Sequence, residues 1–295
     1  MIATAPTRST LAPSPTRPDT TDIIRVEIGG VGFALPLAAI ATILSPSAMT
    51  ATDPATGWAG TVPSRGGEIP IADGRTIFDL DGPATGDQRL LILRGSPATG
   101  LLVDTIHGTT TLPAGDIEWL SPLFGPVDHL LTQAVAWQID GALDLVIDVP
   151  ALRRHLHTGP DAAPSGATAA TAALFTAPPS GDCLELRLDD SANRWLLPID
   201  YVRHISDPRP PARLPRTSPT ILGLLAWRRE PIPLIDTAHA LDLPESTPAT
   251  LIVIGPPSQP DDALLALTIT AVTGVAPADS TAPLLDLPEV VRRLS

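Results

Sequence analysis

Short runs of apolar residues, separated by turn-forming residues, recur along the whole chain. Ile23–Ile28 alternates apolar and polar side chains and is followed by Gly29-Gly30, a pattern typical of a β-hairpin. Further runs of the strand type lie at Leu90–Leu93, Leu101–Ile106, Leu130–Ile139, Leu143–Val149, Cys183–Leu188, Pro231–Asp236, Leu251–Ile254 and Leu264–Val272. Runs this short and this closely spaced predict small barrels or a sandwich, and therefore an all-β fold.

Two segments have the pattern of short helices instead, at about Leu37–Leu44 and Pro150–His157. Pro150 lies in a first turn, where a proline leaves no hydrogen bond unmade. Arg153 and Arg154 follow toward the end of this segment, where the helix dipole favours cations. We therefore expect a few short helices beside the strands.

Two stretches have the composition of a tail or a linker. Residues 1–21 are dominated by Thr, Pro, Ser and Ala and predict a flexible tail, and residues 158–181 form an Ala/Pro/Gly-rich linker. The chain is thereby divided into module 1 (22–157) and module 2 (182–295).

The two modules repeat one another in four ordered segments. Phe33–Leu44 matches Trp195–Ser206, with Pro36 opposite Pro198. Gly60, Arg65, Pro70 and Asp73 then match Gly223, Arg228, Pro233 and Asp236. The later matches are Val103–Gly108 with Ile269–Gly274 and Val146–Leu156 with Leu284–Leu294. Module 2 lacks residues that correspond to about Trp119–Val146, which we expect to be two strands.

The segment Gly60-x4-Arg65-Gly66-x3-Pro70-Ile71-x-Asp73 resembles the signature of the CheW-like family. Three other segments of module 1 resemble that family as well: Phe33–Leu44, Gly100–Gly108 and Leu143–Leu152. The resemblance covers almost all of 22–157. Module 2 departs from the pattern, because Arg229 replaces the family glycine and Thr270 stands where module 1 has Asp104. Module 2 is thus interpreted as a shortened copy.

This resemblance implies a fold and a function. Each module would be built of small SH3-like five-stranded β-barrels with short helices, the second module being incomplete. The function implied is that of a non-catalytic signalling adaptor or scaffold in a chemotaxis-type pathway. Its partners would be a chemoreceptor signalling tip and the regulatory domain of a CheA-type histidine kinase, with possible array assembly in the cytoplasm.

Arg65 is the residue that we expect to contact a partner. An exposed arginine beside a glycine turn can form bidentate bonds to a carboxylate or carbonyl. An ion pair across the barrel, to Asp73 or Glu68, is the alternative. The partner-binding residues predicted are Arg65, Gly66, Trp227 and Arg228. The residues assigned to the structural motif are Gly60, Pro70, Asp73, Gly223, Pro233 and Asp236. We expect both aspartates to cap or stabilise a turn.

Charge composition excludes several classes of function. The net charge is −13, and all 19 basic residues are arginines. Nucleic acid is therefore not expected as a partner, since no basic stripe occurs, and an anionic membrane surface is disfavoured for the same reason. The absence of lysine excludes P-loops, Schiff bases and Ser–Lys dyads. No run approaches 18 apolar residues, so membrane insertion is not expected.

Two alternatives to an adaptor remain. An aspartic protease is suggested by apolar-Asp-Thr at Asp104 and Asp236. The repeat, however, places Asp236 opposite Asp73 and Asp104 opposite Thr270, so no symmetric dyad results. A β-rich ligand-binding protein outside signalling would need exposed aromatic platforms, for which the candidates are Trp58, Trp119, Trp137, Trp195 and Trp227.

Neither a metal nor a cofactor is predicted. Cys183 is the single cysteine, and its acidic neighbours Asp182 and Glu185 would raise the pKa of the thiol. Among the histidines (107, 129, 155, 157, 204 and 239), the pair His155-x-His157 is too close in a helix to share one face.

Overall fold

The fold is that of a computed structural model which describes residues 20–52, 58–82, 87–120, 131–138, 142–158, 172–176, 181–189, 193–257 and 263–294. Most of the predicted tail (1–21) and most of the predicted linker (158–181) lie outside the described residues, as does His129.

Module 1 contains two six-stranded sheets in its described part. Its strands are β1 (Thr20–Ile28), β2 (Val31–Pro36), β3 (Ile40–Leu44), β4 (Thr50–Ala51), β5 (Gly60–Ser64), β6 (Gly67–Asp73), β7 (Arg89–Leu93), β8 (Thr99–Val103), β9 (Thr105–Pro113), β10 (Ile117–Trp119), β11 (Thr132–Trp137) and β12 (Leu143–Ile147). The orders are β10-β11-β12-β2-β1-β9 and β3-β7-β8-β6-β5-β4. Two α-helices accompany them, α1 (Gly74–Phe78) and α2 (Val149–Thr158).

Module 2 has the same plan with fewer strands. Its strands are β13 (Asp182–Arg187), β14 (Trp195–Pro198), β15 (Val202–Ser206), β16 (Ile221–Trp227), β17 (Glu230–Ile235), β18 (Thr250–Ile254), β19 (Leu265–Ile269) and β20 (Ala271–Pro277). They form a three-stranded sheet, β14-β13-β20, and a five-stranded sheet, β15-β18-β19-β17-β16. The helices are α3 (Thr237–Ala240) and α4 (Leu287–Arg292). The expected all-β class is confirmed, although three of the four sheets do not have the five strands that the resemblance implied.

Strand pairing reproduces the repeat that the sequence predicts. β6 pairs parallel with β8, and β17 pairs parallel with β19. Ala34 pairs parallel with Val146, and the matching residues Leu196 and Leu284 form an isolated parallel bridge. The bridge is what remains of β12 in module 2, and β10 and β11 have no counterpart among its described residues. In its described residues module 2 therefore lacks three strands of this sheet, where we expected two, and β4 of the other sheet is reduced to the isolated bridge between Ala212 and Leu224.

The helix expected at Leu37–Leu44 is wrong. Leu37–Ala39 forms one 3-10 turn, and Ile40–Leu44 is the edge strand β3, paired with β7. The β-branched side chains of Ile40, Thr42 and Ile43 pack well on a pleated strand and lose rotamer freedom in a helix. The second expected helix is confirmed as α2. The Asp148 carboxylate accepts a hydrogen bond from the Ala151 amide at 2.9 Å, in the first turn of this helix.

Two apolar runs that the sequence presents as continuous are each divided into two strands. The break falls at Asp104 between β8 and β9, and at Thr270 between β19 and β20. At this bend the chain leaves one sheet and enters the other, since β8 and β9 belong to different sheets, as do β19 and β20. A core lies between the sheets of module 1, where the rings of Phe33 and Phe78 approach to 4.5 Å between centroids.

Candidate functional site

Arg65 lies at the tip of the β5–β6 hairpin, in a turn exposed from Pro63 to Glu68. In the ranges that the structure describes, no carboxylate or carbonyl pairs with its guanidinium. The expected alternative partner Asp73 has another role, because its carboxylate accepts a hydrogen bond from the Arg75 amide at 2.9 Å and caps α1. The Arg65 side chain therefore lies at the surface of module 1, available to a partner.

The glycines around this turn differ in whether the backbone requires a glycine at their position. A Cβ on Gly60 would lie 2.5 Å from the Thr50 carbonyl oxygen and 2.4 Å from Met49 Cγ, so this position needs a close backbone approach. A Cβ on Gly66 would meet nothing within 4 Å. Gly67, which is not among the predicted motif residues, has φ +124°. The backbone requirement of this turn thus lies at Gly67 rather than at Gly66.

In module 2 the equivalent turn contacts module 1. Arg228 and Arg229 both have positive φ values, +48° and +69°. Arg229 forms an ion pair with Asp116 of module 1, and the Arg228 guanidinium lies 5.2 Å from the centroid of the Trp227 ring. Trp227 also packs on His204, with ring centroids 4.7 Å apart. This turn is therefore engaged within the chain, unlike its counterpart in module 1.

The remaining motif residues of module 2 have structural roles in its turns and strands. The Asp236 carboxylate accepts a hydrogen bond from the His239 amide at 3.0 Å and caps α3. Gly223 has φ +145°, and a Cβ there would lie 2.4 Å from the Ala212 carbonyl oxygen. Pro70 and Pro233 both lie inside hairpins, opposite Thr61 and Leu224.

Asp104 has a structural role in module 1. Its carboxylate accepts a hydrogen bond from the Gly29 amide at 2.7 Å and forms an ion pair with Arg75 at 2.8 Å. Asp236, the other aspartate of the protease interpretation, is the α3 cap. Each carboxylate is thus occupied by its own partners, whereas an aspartic protease needs two that share a proton.

A groove that sequence reasoning missed lies in module 1, between α2, the 3-10 turn after β2 and the loop after β7. Its volume is about 620 Å³. Its basic lining residues are Arg94, Arg153, Arg154 and His157, and no carboxylate is among the residues that line it. Pro36, Ala39, Ile147 and Val149 contribute its apolar surface. The Arg153 guanidinium donates to the Pro97 carbonyl at 3.1 Å, which links α2 to the loop after β7 at one side of the groove.

The sequence contains only part of the signal for this groove. Arg153 and Arg154 are the cations at the end of the predicted helix, and Arg94 is separated from them by more than fifty positions. A cationic and apolar concavity on a chain of net charge −13 favours a partner segment that combines carboxylates with apolar side chains.

No metal site is formed within the described residues, since no group of three or more His, Cys, Asp or Glu side chains could hold an ion there. Cys183 is buried; burial, and then the charges of Asp182 and Asp200, raise the pKa of its thiol. None of the helices in the described ranges is long and apolar enough to cross a membrane. Trp119 is the aromatic side chain most exposed among the large hydrophobic residues, at 55%.

Comparison with known proteins points to one family. The family model of the CheW-like domain matches residues 22–157 and 182–282. Among solved structures, the scaffolding protein TtCheW from Thermoanaerobacter tengcongensis is similar, with 20% identity and a TM-score of 0.39 over 44% of this chain and 89% of that chain. A search of curated proteins finds no match.

Proposed function

The chain belongs to the CheW-like family, and we propose that it is a non-catalytic adaptor which couples chemoreceptors to a CheA-type histidine kinase. Membership of that family supports a scaffolding role in chemotaxis-type signalling. The finer assignment, to a receptor signalling tip and to the regulatory domain of the kinase, is our proposal. So is the division of the chain into an adaptor module at 22–157 and a shortened one at 182–295.

The observation that carries the proposal is the exposed Arg65 at the tip of the β5–β6 hairpin. A guanidinium presents its donors in a rigid fork that matches a carboxylate or two carbonyls. Since no described residue uses these donors, a partner can bind Arg65 without breaking an internal ion pair. Gly66 and Gly67 leave the turn without bulky neighbours, so a flat protein surface can approach it.

The groove of module 1 supplies a second contact. Such grooves bind helices or strands of a partner through apolar anchors. Here the apolar surface near Ala39 lies beside Arg94 and Arg153, so we propose that the bound segment carries carboxylates. Attraction between these opposite charges would raise the association rate, and salt would lower it.

Module 2 has a supporting role in this proposal. Its arginine turn already contacts Asp116 of module 1, so part of its surface is engaged inside the chain. Trp227 and Arg228 remain proposed partner residues, since Arg228 is exposed and Trp227 is half-buried. Partner binding would therefore rest chiefly on module 1.

The experiment measures binding of the full chain to two partners, the regulatory domain of the cognate kinase and a receptor-tip fragment, by biolayer interferometry. Arg65→Glu is expected to weaken binding to one of them by about tenfold or more, because a charge is reversed where a carboxylate or carbonyl binds. Arg89→Glu is the matched control, since Arg89 is exposed and, among the residues that the structure describes, its guanidinium donates to the nearby carbonyls of Asp87 and Gln88. The adaptor proposal is wrong if the wild-type chain binds neither partner.

A further inference from the structure

The groove of module 1 has an exact positional counterpart in module 2, which backbone hydrogen bonds identify. In module 1 the Arg94 amide donates to the Ala39 carbonyl at 2.8 Å. In module 2 the Gly255 amide donates to the Tyr201 carbonyl at 3.0 Å. Ala39 and Tyr201 end equivalent 3-10 turns, each after a proline that ends a strand. Tyr201 and Gly255 therefore stand where Ala39 and Arg94 line the groove.

The residues at these positions are covered in module 2 and open in module 1. Four positions that line the groove are half-buried or exposed in module 1, while their counterparts are buried: Pro36 and Pro198, Ala39 and Tyr201, Arg94 and Gly255, Arg153 and Val291. Module 2 thus has Gly255 and Val291 in place of two arginines, and neither residue has a polar side chain that must be hydrated. These four positions of the counterpart are closed to solvent, while Arg292, the counterpart of Arg154, is exposed.

The closing segment comes from the chain that connects the modules. Within Ala172–Thr176, Ala172 is 5% exposed and Phe175 is 3% exposed. The Phe175 ring stacks on the Tyr201 ring at 5.9 Å between centroids, with 18° between the planes. Tyr201 itself is 2% exposed. An aromatic pair in this offset, near-parallel arrangement is favourable beyond the area that it buries.

We propose that Ala172–Thr176 is an internal occupant of the module 2 groove, which leaves the module 1 groove as the open one. In module 1, Gln133 of β11 helps to line the groove, and module 2 has no described counterpart of β11. The segment therefore covers a surface that the lost strands would otherwise leave bare. This part of the proposed linker belongs to the fold of module 2.

The consequence for partner binding rests on the proposed function: a partner segment would bind this chain at one groove and not at two. The closure itself does not depend on that function, because it is a statement about Phe175 and Tyr201 alone. A failure of the adaptor proposal and a failure of the closure are therefore distinguishable.

Tyr201 is the single tyrosine of the chain, so a tyrosine-directed reaction reports on this position alone. The experiment is nitration of the full-length chain by tetranitromethane, followed by mass spectrometry of the peptide that contains Tyr201. We expect slow nitration in the wild-type chain and a rate about tenfold or more higher in Phe175→Ala, because the variant uncovers the phenol ring. Phe175→Leu keeps a large apolar side chain and is expected to retain most of the protection.

Ala173→Ser is the matched control, since Ala173 is exposed in the same segment and its substitution should leave nitration unchanged. Circular dichroism and the melting temperature establish that each variant is folded. If Phe175→Ala does not fold, chymotrypsin digestion of the wild-type chain decides: closure predicts slow cleavage after Phe175. Rapid cleavage there, or wild-type nitration as fast as in urea, would overturn the proposal.

Discussion

The guanidinium of Arg75 and the carboxylate of Asp104 lie 2.8 Å apart in module 1, and both side chains are nearly buried, at 12% and 2% exposure. The same carboxylate accepts a hydrogen bond from the Gly29 amide at 2.7 Å. Asp104 thus joins the β1–β2 hairpin, helix α1 and the bend between β8 and β9. Module 2 has Thr270 at the equivalent bend, where the hydroxyl group lies 3.2 Å from that of Ser246.

Asp104→Asn should destabilise the chain strongly. The substitution keeps the shape of the side chain but leaves the Arg75 charge buried without its counter-ion, which typically costs about 3–5 kcal/mol. The measurement is the free energy of unfolding in urea. Asp81→Asn is the control, because Asp81 is exposed and has no partner in the described ranges. A loss for Asp104→Asn as small as that of the control would contradict the structural role.

Two glycine variants should separate close approach from simple turn preference. In Gly60→Ala the new Cβ would lie 2.5 Å from the Thr50 carbonyl oxygen, which is backbone and cannot rotate away. We expect a loss of about 1–3 kcal/mol, as for overpacked positions. Gly66→Ala meets open space, and its effect should lie within about 0.5 kcal/mol of zero. Urea unfolding of both variants tests this, and equal losses would refute the distinction.

The sequence was sufficient to predict the duplication and the all-β class, because both depend on local patterns and on ordered repeats. Pro36 and Pro198 end equivalent strands, and the matched Pro70 and Pro233 lie in β6 and β17, whose parallel pairs with β8 and β19 are seen only in the structure. The error at Leu37–Leu44 has a physical cause. An apolar run of this length has no clear period, and only pairing with β7 decides between strand and helix.

The candidate site could be predicted only where one segment contains it. The Arg65 turn is local, so its exposure follows from the sequence around it. The module 1 groove brings Ala39, Arg94 and Arg153 together from three distant segments, and no sequence spacing encodes that meeting. The packing of Phe175 on Tyr201 could not be predicted either, because Phe175 lies in a segment whose composition is typical of a linker.

Cys183 should react slowly with maleimides in the native chain. Its side chain is buried, and burial together with the charges of Asp182 and Asp200 raises the pKa of the thiol, so the reactive thiolate is scarce near neutral pH. We expect labelling to be about a hundredfold or more slower than in urea, where the thiol is accessible. Mass spectrometry of the labelled chain gives both rates without ambiguity, because Cys183 is the single cysteine. Comparable rates in the two conditions would mean that β13 opens readily.

Arg216 should contribute more than Arg229 to holding the modules together. The Arg216 guanidinium donates to the Ile77 carbonyl of module 1 at 2.7 Å, and burial lowers the pKa of this arginine while the nearby Asp79 raises it. Removing a charged donor from a partly buried carbonyl costs about 1–3 kcal/mol. The Arg229–Asp116 pair is mostly exposed and should contribute under about 1 kcal/mol.

Arg216→Ala and Arg229→Ala form a matched pair, because both residues have positive φ values, +59° and +69°, and the backbone strain is the same before and after each change. Differential scanning calorimetry should reveal a larger loss of stability in Arg216→Ala. Its transition should also broaden or divide, since modules that are less firmly coupled unfold less cooperatively. A larger effect of Arg229→Ala would mean that the ion pair with Asp116 is the main contact between the modules. The arginine turn of module 2 would then stabilise the contact with module 1 rather than bind a partner.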